Sequence, residues 1–580
     1  MISIAEQQGT LAQPVLTGEL LAMDAERNDG TTTYLFGYRH VDDVFAAETH
    51  FARSPDFRFA TVIRTLPGNG REAIVQINDF PNDLHPDSGE VDRLNVMNGK
   101  RELVSIGPLR SFTNFLVDAS GNPRYAVGSD EHSRIQAYSK AAGAEWKLLS
   151  GGAGQASRMI PFELSDDGSR AFLLTAEGRE PYCLSEQDLA SGERRKLSCD
   201  AAADASDVIM SFDHTAPVAV LYEGAPPWQR MLDSSNPDAA RFKALQQAFP
   251  GQIVMPVSAT TDGTQVVLRV YSDRNPGDYY LFDPKTLHAD LLASQREWID
   301  PDEMSEQRAI EFKARDGQSI HGILTLPRGR GSEALPLVVN PHGGPFGILD
   351  TWGWDSETQL LASRGYAVLQ VNFRGSGGYG ESFKDAGRQH WDQVMIDDIS
   401  DGARWAVQQG IADGARLCIY GASYGGYAAL MSAVREPDLY RCAIGYAGVY
   451  DLNLLKSDGD TAETSRGRTF FKEFIGADAE HLKAASPLTY IDRIKAAVMI
   501  VHGEEDKRAP VSQAKALRKA LDARHYPYEW LVKPEEGHGF YLEKNREELY
   551  QKLLAFLDRN IGSQSAGAKP PASAGAAPNP

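Results

Sequence analysis

The stretch Gly421 to Tyr427, which reads GASYGGY, constrains the fold of this chain more than any other segment. It contains the pattern G-x-S-x-G with Ser423 at its centre. An apolar run, Leu417 to Tyr420, precedes it, and a helical pattern, Tyr427 to Val434, follows it. A strand, a sharp glycine-rich turn with a serine and a helix, in this order, are typical of the nucleophile elbow of an α/β-hydrolase. The same pattern also occurs in glycine-rich strand-to-helix loops that have no catalytic role.

Strands and helices alternate throughout the chain after Pro301, which predicts a mainly parallel, doubly wound sheet. The first element is a hairpin at Glu311 to Pro327 with its turn at Asp316-Gly317. Apolar runs predict strands at Leu337 to Asn340, Ala367 to Phe373, Cys442 to Tyr446, Ala497 to Val501 and Tyr528 to Leu531. Helical patterns cover Ser356 to Arg364, Asp392 to Gln409, Ser512 to Asp522 and Arg546 to Arg559.

The region from about residue 30 to 295 has a different sequence pattern, which predicts short strands and turns without intervening helices. Five units carry a turn followed by an apolar strand, and the last four recur about every 47 residues. Their turns lie at Ser54 to Asp56, Asp118 to Gly121, Asp166 to Gly168, Asp213-His214 and Thr261 to Gly263. Such units are typical of β-propeller blades, whose closed ring is expected to hold six to eight. A β-sandwich or another all-β array is the alternative.

The size and charge of the chain limit its class. Its 580 residues exceed what one hydrophobic core supports, so two or more domains are expected. We predict a propeller-like domain at residues 1–300, an α/β-hydrolase domain at 301–562 and an unstructured Ala/Pro/Gly-rich tail at 563–580. A net charge of −20 argues against nucleic acid or an anionic membrane as a partner. The oligomeric state stays open, and a homo-oligomer is compatible with the sequence.

The location of the protein is also left open by the sequence. No apolar run reaches the roughly 18 residues of a membrane span, and no signal peptide is recognisable at the start, which favours the cytoplasm. Cys183 and Cys199 flank a predicted hairpin, however, and Cys418 and Cys442 fall on strands expected to be neighbours. Two disulfides would indicate a periplasmic or secreted protein, whereas four reduced thiols would not.

A serine nucleophile needs a base and an acid, which follow it in the order acid and then histidine in α/β-hydrolases. His538 lies in a glycine-flanked loop after a strand, whereas His525 lies in a charged turn, so we predict His538 as the base. Three carboxylates follow the strand Ala497 to Val501: Glu504, Glu505 and Asp506. Asp506 comes last and is predicted to orient the imidazole.

An oxyanion hole requires fixed N–H donors. The backbone N–H of Tyr424, directly after the nucleophile, is the first candidate. The second is a glycine N–H from Gly343 or Gly344, in the loop HGGP after the strand Leu337 to Asn340. His342, at the start of that loop, is predicted to orient the turn rather than to act as a base.

A nucleotide-binding reading of Gly375 to Gly380, which matches G-x-G-x-x-G, is rejected. A Rossmann site would place this motif in the first βα unit, with an acidic residue at the end of the next strand. Here a hairpin and a βα unit come first, and Asp397 and Asp398 fall inside a predicted helix. No metal-binding pattern such as H-E-x-x-H appears, so no cofactor and no metal are predicted.

Taken together, these motifs resemble the prolyl oligopeptidase family of serine peptidases, most closely its acylaminoacyl-peptidase-like branch. The motifs that carry the resemblance are His342 to Pro345, Asn372 to Ser376, Gly421 to Tyr427, His502-Gly503 with Asp506, and Gly537 to Gly539. The resemblance implies a β-propeller that restricts access to an α/β-hydrolase domain, and therefore short peptides as substrates. It also implies a substrate-binding role for Arg508 and a pocket-lining position for Tyr450.

Two departures from the family pattern limit this interpretation. The acidic pair by which dipeptide-removing members hold the substrate amine cannot be placed in the N-terminal region. In addition, His342 stands where prolyl oligopeptidases proper have a tyrosine. The leading hypothesis is a serine peptidase that hydrolyses short peptides through an acyl-enzyme. One alternative is a carboxylesterase with the same triad, which the large β-rich region disfavours. The other is a non-catalytic binding protein, which the intact triad disfavours.

Overall fold

The protein is described here by a computed structural model that covers residues 58–562, with gaps at 67–70, 80–87, 97, 111–112, 153–154, 156, 223, 225, 233–234, 261–262 and 332. Of residues 1–57 it describes only the backbone of six short strands: Ile2–Ser3, Glu6–Gln7, Thr10–Leu11, Val15–Leu16, Met23–Glu26 and Thr32–Leu35. The predicted turn at Ser54 to Asp56 and the predicted tail at 563–580 lie outside the described residues.

From Arg58 to Ser294 the described residues form five successive sheets whose consecutive strands pair antiparallel, and these sheets are the blades of a β-propeller. Blade 1 contains Arg58–Thr65, Glu72–Asp79, Glu90–Asn95 and Arg101–Ile106, with Met23–Glu26 and Thr32–Leu35 at its edge. Blade 2 contains Thr113–Val117, Pro123–Ser129, Ile135–Ser139 and Lys147–Ser150. Blade 3 contains Ser157–Leu164, Arg170–Glu177, Cys183–Asp188 and Arg194–Ser198.

Blade 4 has three strands, Ala205–Met210, Pro217–Tyr222 and Trp228–Met231, and a helix, Pro237–Ala248, follows it. Blade 5 contains Ile253–Ala259, Val266–Tyr271, Asp278–Asp283 and His288–Ser294. The predicted propeller is therefore confirmed, with five blades in the described part of the chain where six to eight were expected.

In blades 2 to 4 the sequence repeat corresponds to the turn between the first and second strands, whereas residues 261–262 of the turn predicted at Thr261 to Gly263 lie outside the described residues. Asp118, Asp167 and Asp213 each accept a hydrogen bond from the backbone N–H two residues further on, at 2.9 to 3.1 Å. A carboxylate at this position satisfies a turn N–H that no strand can pair, which explains why aspartate recurs there. Because the turn has the same place in each blade, its spacing of about 47 residues is the length of one blade.

Both cysteine pairs are joined as disulfides in the structure. Cys183 and Cys199 link the third and fourth strands of blade 3 across the hairpin that the sequence predicted. Cys418 and Cys442 are opposite each other on adjacent parallel strands of the C-terminal sheet. Separately, no helix of the described residues is long and apolar enough to cross a membrane.

The chain divides into two compact units. The first comprises Met1–Ala201, Met210–Val220 and Glu463–Thr469, and the second comprises Ala202–Ile209, Leu221–Ala462 and Phe470–Pro580. The domain boundaries at residues 300 and 562 that the sequence suggested stay a prediction.

An eight-stranded sheet forms the framework of the second unit. Its strands are β1 (Gln307–Lys313), β2 (Ser319–Thr325), β3 (Leu335–Val339), β4 (Ala367–Asn372), β5 (Ala412–Ala422), β6 (Cys442–Tyr446), β7 (Ala497–Gly503) and β8 (Tyr528–Lys533). They lie in the order β1-β2-β4-β3-β5-β6-β7-β8. The pairs β1–β2 and β2–β4 are antiparallel. All other neighbouring pairs, from β4–β3 to β7–β8, are parallel. This is the predicted α/β-hydrolase sheet.

Helices connect these strands. They are α1 (Ser356–Ser363), α2 (Gly380–Asp385), α3 (Val394–Gln408), α4 (Tyr424–Arg435), α5 (Leu452–Asp458), α6 (Ser465–Phe470), α7 (Ala479–Ala484), α8 (Ser512–Ala523) and α9 (Glu543–Ile561). Short 3₁₀ turns occur at Pro301–Glu303, Asp460–Ala462 and Pro487–Arg493, and a π-helical turn occurs at Phe471–Ile475. The predicted helices lie within a few residues of α1, α3, α4, α8 and α9. The sequence reading assigned no elements between β6 and β7.

The parallel strands are apolar at nearly every position because both faces of the sheet are buried. Leu337 and Val339 of β3 pack into a core with α3 and α4, whereas Val338 between them packs into a core with α9 on the other face. Ile419 and Tyr420 of β5 divide in the same way. Because β3 to β8 are parallel, their carboxyl ends lie at the same edge of the sheet, and the loops after β3, β5, β7 and β8 meet there.

Candidate active site

Ser423 lies at the sharp turn between β5 and α4. Its backbone has φ 58° and ψ −119°, a conformation that residues with a side chain rarely adopt and that is typical of a strained nucleophile elbow. The neighbouring glycines are required by packing. A Cβ atom on Gly421 would overlap the backbone of Gly425, and a Cβ atom on Gly425 would overlap the carbonyl oxygen of Pro341.

The loops after β5, β7 and β8 bring the three predicted triad residues together. The hydroxyl of Ser423 lies 3.0 Å from Nε2 of His538, and Nδ1 of His538 lies 2.7 Å from Oδ2 of Asp506. With the Nδ1–H tautomer, the imidazole donates to the carboxylate and its Nε2 accepts the serine proton. His538 is about 29% exposed, whereas the Asp506 carboxyl is fully buried. This arrangement can deprotonate a serine and stabilise the imidazolium that results.

Asp506 is held by the backbone that follows it. Its Oδ1 accepts hydrogen bonds from the N–H groups of Arg508 and Ala509, both at 2.9 Å, which leaves Oδ2 for His538. The two competing carboxylates, Glu504 and Glu505, are exposed. The loop therefore selects one carboxylate of three by turning only that one inward.

His502 is a second histidine beside the same carboxylate that sequence reasoning did not single out as a positioning group. Its ring is completely buried, its Nε2 lies 2.7 Å from the carbonyl oxygen of Ala509, and it is 3.5 Å from Oδ2 of Asp506. Desolvation lowers the pKa of His502. A neutral ring that bonds to Ala509 stabilises the turn on which Asp506 depends.

The loop that carries His538 is anchored by an inward-pointing carboxylate, which the sequence reading also missed. Glu536 is completely buried and accepts hydrogen bonds from the N–H groups of Tyr541 (2.7 Å) and Leu542 (3.1 Å) and from the amide of Asn545 (2.7 Å). These donors lie at the start of α9, so Glu536 ties the loop to the helix. A glutamate in a polar loop is usually solvated, and the sequence carries no signal of its direction.

The glycine loop after β3 lies against the elbow. A Cβ atom on Gly343 would be 3.4 Å from Cβ of Ser423 and 3.3 Å from the carbonyl oxygen of Ala422. Gly344 has φ +107° and precedes a cis peptide bond to Pro345. Tyr424 is the first residue of α4, where backbone N–H groups have no partner within the helix. The N–H groups of Gly343, Gly344 and Tyr424 are thus candidates to bind an oxyanion, as predicted.

His342 does not compete with His538 as a base. Its Nδ1 lies 2.7 Å from the carbonyl oxygen of Gly343 and its Nε2 lies 2.8 Å from the hydroxyl of Ser376, while its ring stacks on Phe373 at 4.3 Å. Desolvation lowers the pKa of His342 to about 4, so the ring is neutral. These contacts join the loop after β3 to the loop after β4 and fix the conformation of the glycine loop at Gly343 and Gly344.

The G-x-G-x-x-G segment is used for packing in this structure. A Cβ atom on Gly377 would collide with the backbone of Gly347, so the loop after β4 fits closely against the loop after β3. Asp398 lies within α3, completely buried, and forms a two-point ion pair with Arg374. Within the described residues, no group of three His, Cys, Asp or Glu side chains is arranged to hold a metal ion.

The two predicted substrate-binding residues have different surroundings. The side chain of Arg508 is about 60% exposed, and its Nε donates to Asp460 at 2.8 Å. Tyr450 is completely buried, with its hydroxyl against Gly445 and Gly448. It therefore offers no surface to a substrate in this structure, and its pocket-lining role stays a prediction.

A serine at a strained elbow, a histidine and a buried carboxylate on successive loops of an eight-stranded sheet define a serine hydrolase of the α/β-hydrolase class. Residues 352–564 match the prolyl oligopeptidase family. The chain thus contains a serine-type peptidase domain of that family, as its motifs predicted.

Curated relatives agree with this assignment. The chain is 28% identical over 530 residues to dipeptidyl aminopeptidase BIII of Pseudoxanthomonas mexicana, covering 87% of this chain and 74% of that protein. It is 26% identical over 263 residues to the acylamino-acid-releasing enzyme of Rattus norvegicus, covering 44% of this chain and 36% of that enzyme. The second relative belongs to the type of peptidase that the motifs resembled most closely.

Solved structures share the fold. A puromycin-hydrolyzing peptidase of Mycobacterium tuberculosis superposes with a TM-score of 0.67 at 19% identity, covering 87% of this chain and 79% of that chain. An acylaminoacyl peptidase of Pyrococcus horikoshii superposes with a TM-score of 0.62 at 19% identity, covering 88% of this chain and 83% of that chain.

Proposed function

We propose that this chain hydrolyses short peptides through an acyl-enzyme formed on Ser423. The observation that carries the proposal is the position of His538, whose two ring nitrogens lie within hydrogen-bond distance of Ser423 and Asp506. A histidine placed in this way accepts the serine proton as the hydroxyl attacks the peptide carbonyl, and then gives it to the departing amine. A water molecule, deprotonated by the same histidine, releases the acyl group in the second half of the reaction.

Charge on the carbonyl oxygen in the tetrahedral intermediate needs donors that are already in position. We assign this role to the backbone N–H of Tyr424 and to that of Gly344 or Gly343. The proximity of Gly343 to the Ser423 side chain supports the assignment. Loss of one such donor typically costs about 10²- to 10³-fold in kcat. Because these donors belong to the backbone, side-chain substitution does not remove them directly.

Short peptides are the proposed substrate class because the chain combines the hydrolase sheet with propeller blades, which in this family limit access to small substrates. Relatives named as a dipeptidyl aminopeptidase and as an acylamino-acid-releasing enzyme point to action near the amino end of a peptide. The two names differ in whether that end is free or acylated. Turnover of matched free-amine, N-acetylated and ester substrates would distinguish these activities and the carboxylesterase alternative.

Labelling by a fluorophosphonate probe tests the nucleophile. Wild-type protein is expected to be labelled once, at Ser423, and Ser423→Ala is expected to remain unlabelled. Ser432→Ala is a matched control, since Ser432 is a buried serine on the same helix as the elbow. Failure of the wild type to react, or equal labelling of Ser423→Ala, would reject the proposal.

Arg508 is proposed to bind the substrate backbone or a carboxylate close to the scissile bond. Its backbone N–H donates to Asp506, and its guanidinium, about 60% exposed, donates to Asp460 through Nε. Arg508→Ala is expected to reduce peptide turnover more than turnover of a small ester. Equal losses on both substrates would contradict the role, and Lys507→Ala, at an exposed neighbouring position, is the control.

We further infer that the protein matures in an oxidising compartment, the periplasm or the extracellular space. Two disulfides within one chain support this, because reducing compartments keep such thiols reduced. Alkylation of the denatured, unreduced protein from its native source is expected to modify none of the four cysteines. Modification of all four would place the protein in a reducing compartment.

A further inference from the structure

Tyr446, the last residue of β6, contacts both the elbow and the histidine loop. Its backbone carbonyl accepts a hydrogen bond from the N–H of Ser423 at 2.8 Å. Its hydroxyl accepts a hydrogen bond from the N–H of Phe540, two residues after His538. One residue therefore holds the backbone of the nucleophile with its main chain and the backbone of the base loop with its side chain.

The contact with the loop is extensive enough to be specific. The rings of Tyr446 and Phe540 pack edge to face, with centroids 5.3 Å apart and planes inclined by 72°. A Cβ atom on Gly539 would lie 3.8 Å from the Tyr446 hydroxyl, so this hydroxyl sits directly beside the loop. Burial raises the pKa of Tyr446 above its ordinary value, and the hydroxyl is accordingly neutral throughout the range in which the triad works.

Other contacts hold the histidine loop at different points: Nδ1 of His538 bonds to Asp506, and the carbonyl of Glu536 accepts a hydrogen bond from the N–H of Glu505. Glu536 fixes the backbone on the side of α9, through Tyr541, Leu542 and Asn545. The segment between Glu536 and the helix contains His538 flanked by two glycines, and glycine has the largest conformational freedom of any residue. The bond from the N–H of Phe540 to the Tyr446 hydroxyl, together with the ring contact between the same two residues, connects this segment to β6, and the carbonyl of Tyr446 on that strand also holds the N–H of Ser423.

We propose that the Tyr446 hydroxyl is a positioning group of the triad, which sets the distance between His538 and Ser423 by fixing the loop against β6. This inference rests on the proposed function of the site. Tyr446 does not touch the reacting atoms, and its carbonyl bond to Ser423 does not depend on its side chain. Removal of the hydroxyl alone therefore releases the base loop and leaves the elbow in place.

Tyr446→Phe is the direct test, because it deletes the acceptor and keeps the ring that packs on Phe540. We expect kcat to fall about tenfold, because the variant lacks one ordinary hydrogen bond that holds the base loop in its reactive position. KM should change less than twofold, because the contacts with the substrate are unaffected. Acylation and deacylation, measured separately by rapid quench, should slow by the same factor, since His538 serves in both.

Tyr526→Phe is the matched control. Tyr526 is also a partly buried tyrosine whose hydroxyl bonds to a backbone group, the carbonyl of Ala496 at 2.8 Å, but it lies at the opposite end of β7 from the triad. It should keep wild-type kcat although it loses a comparable bond. All assays are run well below the thermal midpoints of the three proteins, so that a loss of stability alone does not reduce kcat.

Hydrogen exchange read by mass spectrometry gives an answer independent of activity. Exchange in the segment 535–542 should accelerate in Tyr446→Phe, while exchange in the elbow, 420–426, should not change. The proposal is wrong if kcat stays within twofold of wild type, if KM rises with kcat unchanged, or if exchange in 535–542 is unaltered. If wild type neither hydrolyses peptides nor reacts with the phosphonate, the proposed function fails instead, and the exchange experiment still decides whether Tyr446 holds the loop.

Discussion

Replacement of Asp506 by asparagine tests the triad through a tautomer. The two backbone N–H groups of Arg508 and Ala509 both donate to Oδ1 of Asp506. In Asp506→Asn they will keep the amide oxygen at that position, because two donors there would repel the amide NH₂. The NH₂ group must then face Nδ1 of His538 and donate to it. The imidazole is thereby forced into the tautomer that carries its proton on Nε2.

A histidine protonated on Nε2 cannot accept the proton of Ser423. We expect kcat to fall by about 10³- to 10⁴-fold, or about 4 to 5.5 kcal/mol of transition-state stabilisation. The asparagine has the same shape and satisfies the same two donors, so the fold should be retained. KM should change little, since Asp506 is fully buried and offers no surface to a substrate.

The assay is steady-state hydrolysis of a chromogenic short peptide, with the amount of active protein determined by phosphonate titration. Glu505→Gln is the matched control, because Glu505 is the adjacent, exposed carboxylate. Thermal midpoints establish that both variants are folded. A kcat for Asp506→Asn within tenfold of wild type, or an equal loss in Glu505→Gln, would refute the tautomer argument.

Three further outcomes are expected. Replacing Cys183 and Cys199 together by alanine should lower the free energy of unfolding by about 3 kcal/mol, since the disulfide closes a loop with a sequence separation of 16 residues; a change below about 1 kcal/mol in urea titration would contradict the entropic estimate. Burial raises the pKa of Glu357 to about 7, above its value of about 4.3 in an unfolded chain. Between these two pKa values the folded state binds one proton more than the unfolded state. The free energy of unfolding of the wild type should therefore fall, relative to that of Glu357→Gln, as the pH rises from about 4.5 to 7, and the difference should stay constant above pH 7. An equal difference in urea midpoint between the two proteins at pH 5 and at pH 8 would reject this. Gly503→Ala should lower kcat at least tenfold, because its Cβ atom would overlap backbone carbonyls of the loop that carries the histidine; a wild-type kcat would show that the loop tolerates displacement.

Much of the C-terminal half follows from local pattern. β6 has the predicted bounds, and α8 differs from its prediction by a single residue, because continuous apolar strands and amphipathic helices are local signals. Ser423, Asp506 and His538 were predicted because each lies in a loop whose glycines and chain order are typical of one class of site. The aspartate turns of the blades were visible for the same reason, since an Asp bonds to its own backbone two residues on.

Other features depend on the direction of a side chain, which local pattern does not encode. Glu536 and Glu504 are alike in sequence terms, yet one is buried under three hydrogen bonds and the other is exposed. Tyr450 is completely buried in the core, a direction that its motif position did not indicate, and its pocket-lining role stays a prediction. Helices α5 to α7 were also not assigned, because they are short and are stabilised by packing on the core rather than by a long apolar repeat.

The sequence by itself determined the order of the elements, the elbow and the identity of the three triad residues, because these are written in local periodicity, glycine placement and chain order. Only the tertiary structure decided which groups hold the three triad side chains in position. The carboxylate of Glu536 and the ring of His502 act on residues four to nine positions away, but only the folded loops turn these side chains inward. The hydroxyl of Tyr446 acts on Phe540, 94 positions away, and this contact exists only after the sheet has brought the ends of its parallel strands to one edge.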